Sequence, residues 1–277
     1  MGQSPPSEEY NSDQIGTPFL QGNADFGLHH PTPKIYCPTA KKHANPGDIL
    51  LSVRAPVGAI NIANQEYGIG RGLCAIRPRT NQFERRYAKY LLEVVRTELH
   101  VIATGSTYEA VTVDEVSNLT CIVPRLSEQI QIANFLDRKT GQIDELIRIK
   151  ERRIELLQAQ RTALINQAVT KGLDPNVEMK PSGVEWIGEI PRHWNLSMLK
   201  YTARLVYGLN RESAEGQYVP LITAEEQTQI ANFLDHKTEQ IDELISTEHR
   251  KIELLKEYRQ SLISEAVTGK IDVRNEV

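Results

Sequence analysis

The 277-residue chain contains few cysteines: Cys37, Cys74 and Cys121, which lie far apart. This spacing fits neither a disulfide framework nor a zinc site, so we expect a reducing cytoplasm and no bound metal. No apolar run approaches the roughly 18 residues that cross a membrane. The first residues also lack the charged and apolar segments of a secretion signal. These absences predict a cytoplasmic protein without membrane contact.

Motifs of catalysis are absent as well. The sequence has neither the Asn-Pro-Pro-aromatic motif of methyltransferases nor a Walker A loop. Gly68–Gly72 is rich in glycine, but its spacing is not that of a dinucleotide-binding turn, and a tight turn between strands is the favoured interpretation. The histidines are scattered, apart from the pair His29 and His30. The sequence therefore predicts no catalytic residues and no cofactor bound by this chain.

Positive charge is concentrated in one part of the chain, although the net charge is −4. Between Lys34 and Arg96 there are eleven lysines and arginines against four acids, a local balance of +7. Such a patch can hold phosphates. A solvated surface of mixed charge is the alternative of equal weight.

The most informative feature present is a long repeat. Glu128–Asp174 returns as Glu226–Asp272 at an offset of 98 residues without a gap, and 29 of the 47 aligned positions are identical. Apolar residues in both copies keep the a/d spacing of a coiled coil. The predicted helix-pairing positions are Ile143, Ile147, Ile154, Leu157 and Leu164 in the first copy, and Ile241, Ile245, Ile252, Leu255 and Leu262 in the second.

Charged residues interrupt both series of pairing positions, at Lys150 and Arg161 and at Glu248 and Arg259. Antiparallel helices aligned at their midpoints would place Arg161 opposite Glu248 and Lys150 opposite Arg259. A parallel pair would place Lys150 opposite Glu248 but Arg161 opposite Arg259. Each arrangement has one favourable and one unfavourable charge contact, so charge alone does not decide the direction. An antiparallel hairpin needs no return crossing and is favoured.

Three further predictions concern local structure. Thr140 and Gly141 indicate a break after a short leading helix. Trp186 and Trp194 are expected to pack in a small core. Alternation and turn signals predict strands at 49–53, 59–63, 73–76 and 119–123 and a helix at 84–100.

Several blocks of the sequence resemble specificity subunits of Type I restriction–modification enzymes, and they occur in the order typical of that family. They are PGDILLSVRAPVGAINIA (46–63), YGIGRGLCAIRP (67–78), ATGSTYEAVTVDEVSNLTCIVP (103–124), EQIQIANFLDRKTGQIDELI (128–147) and WIGEIPRHWNLSMLK (186–200). The resemblance implies an α+β fold, with one globular α/β target-recognition domain and two long helices that form an antiparallel coiled coil. It implies a recognition domain at 1–126, conserved long-helix regions at 127–174 and 225–277, and a linker at 175–224.

The resemblance also implies partners and a role. The chain would recognise one half of a bipartite site in double-stranded DNA and bind a methylation subunit and, through it, a restriction subunit. S-adenosylmethionine is expected on the methylation subunit and not on this chain. Candidate DNA contacts are Lys41, Lys42, Arg54, Arg71, Ser106, Thr107 and Tyr108, because arginine can bind guanine edges and hydroxyl groups suit phosphates. The alternative for Arg54 and Arg71 is a structural role, pairing with backbone carbonyls or with acids such as Asp48.

The chain departs from the family pattern in two places. No tryptophan-containing opening segment precedes the recognition domain, and the opening segment at 185–208 is followed by only some sixteen residues before the second repeat. We therefore expect a largely deleted second recognition domain. A homodimer that restores two readers is one expectation. The alternative is a remnant or assembly protein that binds the methylation subunit without reading DNA.

Overall fold

The structure, a computed structural model, describes residues 1–27, 29–104, 110–198 and 218–273. The chain divides into two compact units. The first comprises Met1–Asp144 with Lys256–Val277, and the second comprises Glu145–Leu255. Two long helices contribute residues to both units.

The described residues of the first unit contain seven short strands in two sheets. They are β1 (Thr17–Leu20), β2 (Ile35–Cys37), β3 (His43–Ala44), β4 (Ile49–Ser52), β5 (Ile60–Ile62), β6 (Tyr67–Ile69) and β7 (Leu73–Ile76). One sheet has the order β2-β1-β6-β3 and the other the order β5-β4-β7. β1 and β6 are parallel, and the remaining pairs are antiparallel. The strands predicted near residues 49, 60 and 73 are thus present as β4, β5 and β7.

The apolar sequence of β4 fits its position between β5 and β7, with a core cluster on each face. Leu50 packs with Tyr67 and other residues of one core cluster, whereas Leu51 packs with Leu99 in another. A strand buried on both faces needs a continuous apolar run. The polar residue that ends it, Ser52, donates its hydroxyl to the Pro56 carbonyl (2.6 Å) and accepts from the Ala59 amide, so no polar group is left unsatisfied there.

The predicted helix at 84–100 is present as α1 (Arg85–Thr104), and a short helix, α2 (Val113–Ser117), follows it. The strand predicted at 119–123 is wrong, because this segment pairs with no sheet. Leu119 and Cys121 line an apolar cavity of the first unit, whereas Ile122 and Val123 are half exposed. The apolar residues of this segment therefore pack on one side only. The Ile122 carbonyl accepts a hydrogen bond from the Tyr87 hydroxyl and not from the amide of a neighbouring strand.

The two repeats form two continuous helices, α3 (Leu126–Lys171) and α4 (Ala224–Val267). The break predicted near Thr140 and Gly141 is wrong. The Thr140 hydroxyl donates to the Leu136 carbonyl, and the Thr238 hydroxyl donates to the Leu234 carbonyl, so both threonines bond within their helix. A single glycine costs a helix only about 1 kcal/mol relative to alanine, which the long helix tolerates.

In the second unit the helices run antiparallel. Lys150 Nζ lies 2.9 Å from Glu248 Oε2, and Arg161 Nε lies 3.0 Å from Asp242 Oδ1, so the residue number on α4 falls as the number on α3 rises. The favoured direction is confirmed, but the predicted register is wrong, because Glu248 faces Lys150 and not Arg161. The predicted register came from aligning the midpoints of the two repeats, without regard to charge. In the observed register, each of the two charged residues that interrupt the pairing positions of α3 contacts a carboxylate.

In the first unit the two helices are also joined by an ion pair. Arg259 of α4 lies 3.0 Å from Asp144 of α3 and 3.2 Å from Glu93 of α1. The repulsive contact expected between Lys150 and Arg259 is thus replaced by two ion pairs. The predicted pairing positions lie as follows: Ile143, Ile154, Ile241, Ile252 and Leu262 are buried, and Ile147, Leu157, Leu164, Ile245 and Leu255 are half buried.

Polar contacts join α1 to α3 within the first unit. The Tyr90 hydroxyl donates to Asp137 (2.7 Å), and Arg86 pairs with the other oxygen of the same carboxylate (2.9 Å). Burial is the main cause that raises the pKa of the Tyr90 phenol, and it also raises the pKa of Tyr87 to about 12. Both phenols therefore stay protonated at neutral pH and remain hydrogen-bond donors.

Gln129 connects the first turn of α3 to two loops. The side chain is fully buried. Its oxygen accepts from the Glu84 amide (2.7 Å), and its nitrogen donates to the carbonyls of Gln82 (3.1 Å) and Pro124 (2.8 Å). One side chain thus satisfies three backbone groups.

The second unit has two small antiparallel pairs of strands, β8 (Met179–Pro181) with β9 (Glu189–Pro191), and β10 (Asn195–Met198) with β11 (Tyr218–Leu221). Trp194 is fully buried among apolar residues of α3, α4 and β9, and its indole donates to Glu226 (2.9 Å). Trp186 is 70% exposed, so the core expected for both tryptophans holds only one. In the turn before β9, it is Ile187 and not Trp186 that packs into the cluster around Trp194.

Replacement of Gln129 by alanine should destabilise the protein. The loss leaves an amide and two carbonyls without their partner, and a buried unsatisfied group costs about 1–3 kcal/mol. We expect the free energy of unfolding to fall by about 2–4 kcal/mol in denaturant titrations. Gln142→Ala, at an exposed position of the same helix, is the matched control with an expected change of under about 0.5 kcal/mol. Equal effects of the two replacements would contradict the role of Gln129.

Candidate nucleic-acid interface

The first unit contains a cleft of about 440 Å³ that brings together two of the predicted DNA contacts, Arg54 and Arg71. The remaining polar walls come from residues of the N-terminal segment. We call this site the arginine cleft; its polar lining is Arg54, Arg71, Ser4, Ser7, Gln21 and Asn23. It combines two guanidinium groups with hydroxyl and amide groups.

Backbone geometry places Arg71 in the turn between β6 and β7, where the sequence predicted a turn. The Arg71 amide donates to the Ser4 hydroxyl (3.1 Å), which holds the N-terminal segment against the turn. A Cβ atom at Gly72 would lie 2.5 Å from the Gln21 carbonyl, so the close approach of these segments requires glycine. Gly72 therefore lines the cleft.

Arg54 follows β4 by two residues and lines the same cleft. It forms an isolated antiparallel bridge with Ala110, and the next amide, that of Val111, donates to the Val53 carbonyl (2.8 Å). These backbone bonds fix the base of the side chain, and the side chain itself is exposed. Arg54 can therefore contact a ligand without leaving its place in the fold.

The cleft carries an uncompensated positive charge. Within the described ranges, neither Arg54 nor Arg71 forms an ion pair, and no acidic residue lines the cleft. Asp48, the acid proposed as a structural partner, is bound by Arg77 through two bonds of 2.7 and 2.8 Å. This bidentate contact raises the pKa of Arg77, mainly through the hydrogen bond to Asp48. The structural alternative based on Asp48 therefore applies to Arg77 and not to the two candidates.

The other predicted contacts lie elsewhere. Lys41 and Lys42 are exposed in the segment before β3, and neither lines the arginine cleft. The Lys42 carbonyl accepts from the Ile69 amide, which places this segment beside β6. Ser106, Thr107 and Tyr108 lie outside the described residues. No cluster of histidine, cysteine and acidic side chains in the described part of the chain could hold a metal ion.

The contribution of the N-terminal segment is missing from the sequence prediction. Residues 1–33 show no sustained periodicity, yet β1 lies in the interior of its sheet, and Tyr10 stacks on Phe19 at 5.2 Å. The short run Thr17–Leu20 after Gly16 was the available signal. Within the described ranges, no helix is long and apolar enough to cross a membrane.

Comparison with known proteins identifies the family. Residues 4–159 match the sequence model of the Type I restriction modification DNA specificity domain. The chain belongs to this family. The relationship predicted from the sequence blocks is thus confirmed, and the chain is related to specificity subunits of Type I restriction–modification systems.

Among its relatives is a putative type I restriction enzyme MjaX specificity subunit from Methanocaldococcus jannaschii, 36% identical over 170 residues. The match covers 61% of this chain and 39% of that protein, so the chain spans about two fifths of its relative. The crystal structure of the HsdS subunit from Thermoanaerobacter tengcongensis is 26% identical, with a TM-score of 0.38 over 98% of this chain and 42% of that one. The S subunit from M. genitalium is 12% identical, with a TM-score of 0.46 over 96% and 92% of the two chains.

Replacement of both Arg54 and Arg71 by alanine should weaken binding to duplex DNA, because two cations leave the cleft. Each lost phosphate contact should lower the slope of log K against log salt by about 0.9. Fluorescence anisotropy across a salt series measures this slope. The control is Arg148→Ala with Arg152→Ala, two exposed arginines of α3 paired with acids on their own helix. A slope reduced equally in both variants would exclude a specific role for the cleft.

Proposed function

We propose that the protein is the DNA-reading subunit of a Type I restriction–modification complex, that it reads one half-site, and that it catalyses no reaction itself. The observation that carries this proposal is the arginine cleft, whose two guanidinium groups lack ion-pair partners among the described residues. Arginine binds phosphate and guanine edges with paired hydrogen bonds, and hydroxyl and amide groups complete such contacts. Methyl transfer would take place on a separate methylation subunit that binds S-adenosylmethionine.

Repeated exposed leucines support a docking role for the helices. Leu146 and Leu156 of α3 correspond, at the offset of 98, to Leu244 and Leu254 of α4. All four are between 43% and 56% exposed. Exposed apolar patches mark protein-binding sites, and the recurrence of these leucines at equivalent positions favours one site on each copy. We therefore propose that methylation subunits bind at these leucines, once on each copy of the repeat.

A second reader would have a place on the second repeat. In the first unit, the face of α3 that packs against α1 and the loop before it carries Gln129, Asp137 and Thr140, and Ala133 between them is buried. The second repeat has the identical residues Gln227, Ala231, Asp235 and Thr238. The first three of these are exposed, whereas Gln129 and Ala133 are fully buried. This difference supports the interpretation that the chain lacks most of a second recognition domain.

We further propose that two chains associate as an antiparallel homodimer, which would restore two readers and a palindromic target. The segment around Trp186 of one chain would then lie beside the recognition domain of the other. The exposure of Trp186 supports this, because tryptophan is enriched at the centres of interfaces. Sedimentation at micromolar concentration should show a dimer that Trp186→Ala weakens. Monomers with and without DNA would exclude it.

Methylation mapping tests the proposed function directly. The chain is co-expressed with a methylation subunit in cells that lack other adenine and cytosine methylation, and modified bases are located genome-wide. We expect one defined motif, which Arg54→Ala with Arg71→Ala weakens or relaxes while co-purification persists. Leu146→Asp with Leu244→Asp should instead abolish co-purification. Stable co-purification without any motif would favour the alternative, an assembly protein that does not read DNA.

A further inference from the structure

Lys150 and Glu248 occupy the same position in the two copies of the repeat, because their numbers differ by the offset of 98. They also face each other across the helix pair, with 2.9 Å between Lys150 Nζ and Glu248 Oε2. When two equivalent helices pair in opposite directions, one position must face its own equivalent, and a local two-fold axis passes there. In this protein that position carries opposite charges. We call this contact the central ion pair.

The other interhelical ion pairs follow the same local symmetry. Arg161 pairs with Asp242 in the second unit, and Arg259 pairs with Asp144 in the first. Arg161 is equivalent to Arg259, and Asp144 is equivalent to Asp242. If α3 of one chain paired with α3 of another, Arg161 would still meet Asp144. These two contacts therefore favour pairing of unlike helices and pairing of like helices equally.

The central ion pair, in contrast, distinguishes pairing of unlike helices from pairing of like helices. Two α3 helices paired in the same register would bring two copies of Lys150 together at the axis, with Arg153 of each helix beside them and no carboxylate at the equivalent position. In the observed pair, Glu248 is 2% exposed and is contacted by Lys150, Arg153 and Lys251. Hydrogen bonds from Lys150 first, and then from Lys251, lower the pKa of Glu248 to about 2, so the carboxylate is ionised at neutral pH. Without it, three cations would lie together.

We propose that the central ion pair determines partner choice in the helix pair: it directs α3 to pair with α4 of the repeat and excludes pairing of α3 with a second α3. A buried polar contact that fixes register and partner at some cost in stability is a known device of coiled coils. Self-association of the chain must then use surfaces outside the helix seam. The inference is independent of DNA reading.

Charge exchange tests the proposal first. Lys150→Glu and Glu248→Lys, made singly, place like charges at the axis and should each lower the melting temperature by on the order of 5–10 °C. The double variant Lys150→Glu/Glu248→Lys restores opposite charges and should recover most of that loss. A double variant no more stable than the single variants would overturn the proposal.

An apolar variant separates partner choice from stability. Lys150→Leu/Glu248→Leu should melt at or above the wild-type temperature, because apolar residues often replace a buried ion pair without loss. After unfolding and refolding at increasing concentration, it should yield additional species of doubled mass in sedimentation, since α3 can now pair with α3. Self-association through other surfaces is common to the wild type and the exchanged variant, which therefore serve as controls. Masses equal to those of the wild type at every concentration would overturn the proposal.

Discussion

The antiparallel contact between the two copies of the repeat is the constraint on which the other parts of the protein depend. Neither α3 nor α4 could bury its apolar face alone, and most of the stability of a helix in a protein comes from packing of such a face. In the second unit this contact brings Trp194 between the end of α3 and the start of α4. In the first it supplies Arg259 and Asp144 to the surface on which α1 lies. In each unit the helices thus support smaller elements.

The globular part of the first unit is attached to α3 by polar contacts of fixed geometry. Gln129, Tyr90 and Arg86 join α1 and its preceding loop to α3. For the proposed function this attachment would fix where the candidate DNA contacts lie relative to α3. Arg54 and Arg71 lie on strand ends and turns of the same unit, so the attachment also orients the arginine cleft.

The repeat, its helices and the strands β4, β5 and β7 could be predicted from the sequence because they rest on local patterns, and the direction of helix pairing because an antiparallel hairpin needs no return crossing. The register could not, since it depends on which charged side chains reach each other, as Lys150 and Glu248 do. The break expected at Thr140 failed because its hydroxyl bonds back to its own helix. Of the candidate contacts, Arg54 and Arg71 could be named, but their meeting with Ser4 and Gln21 depends on β1, a strand whose partners lie far along the chain.

Zero-length cross-linking is the most direct test of the central claim that the repeat pairs with itself inside one chain. A carbodiimide joins an amine to a carboxylate only when the two are in contact, as Lys150 and Glu248 are at 2.9 Å. Unlabelled (light) and isotope-labelled (heavy) chains are unfolded together, refolded and cross-linked. The linked peptides are then identified by mass spectrometry. We expect a Lys150–Glu248 link with both peptides light or both heavy. Mixed light–heavy links between these residues would contradict this expectation. A Lys150–Lys150 link between two chains, formed by a short bifunctional amine-reactive cross-linker, would also contradict it.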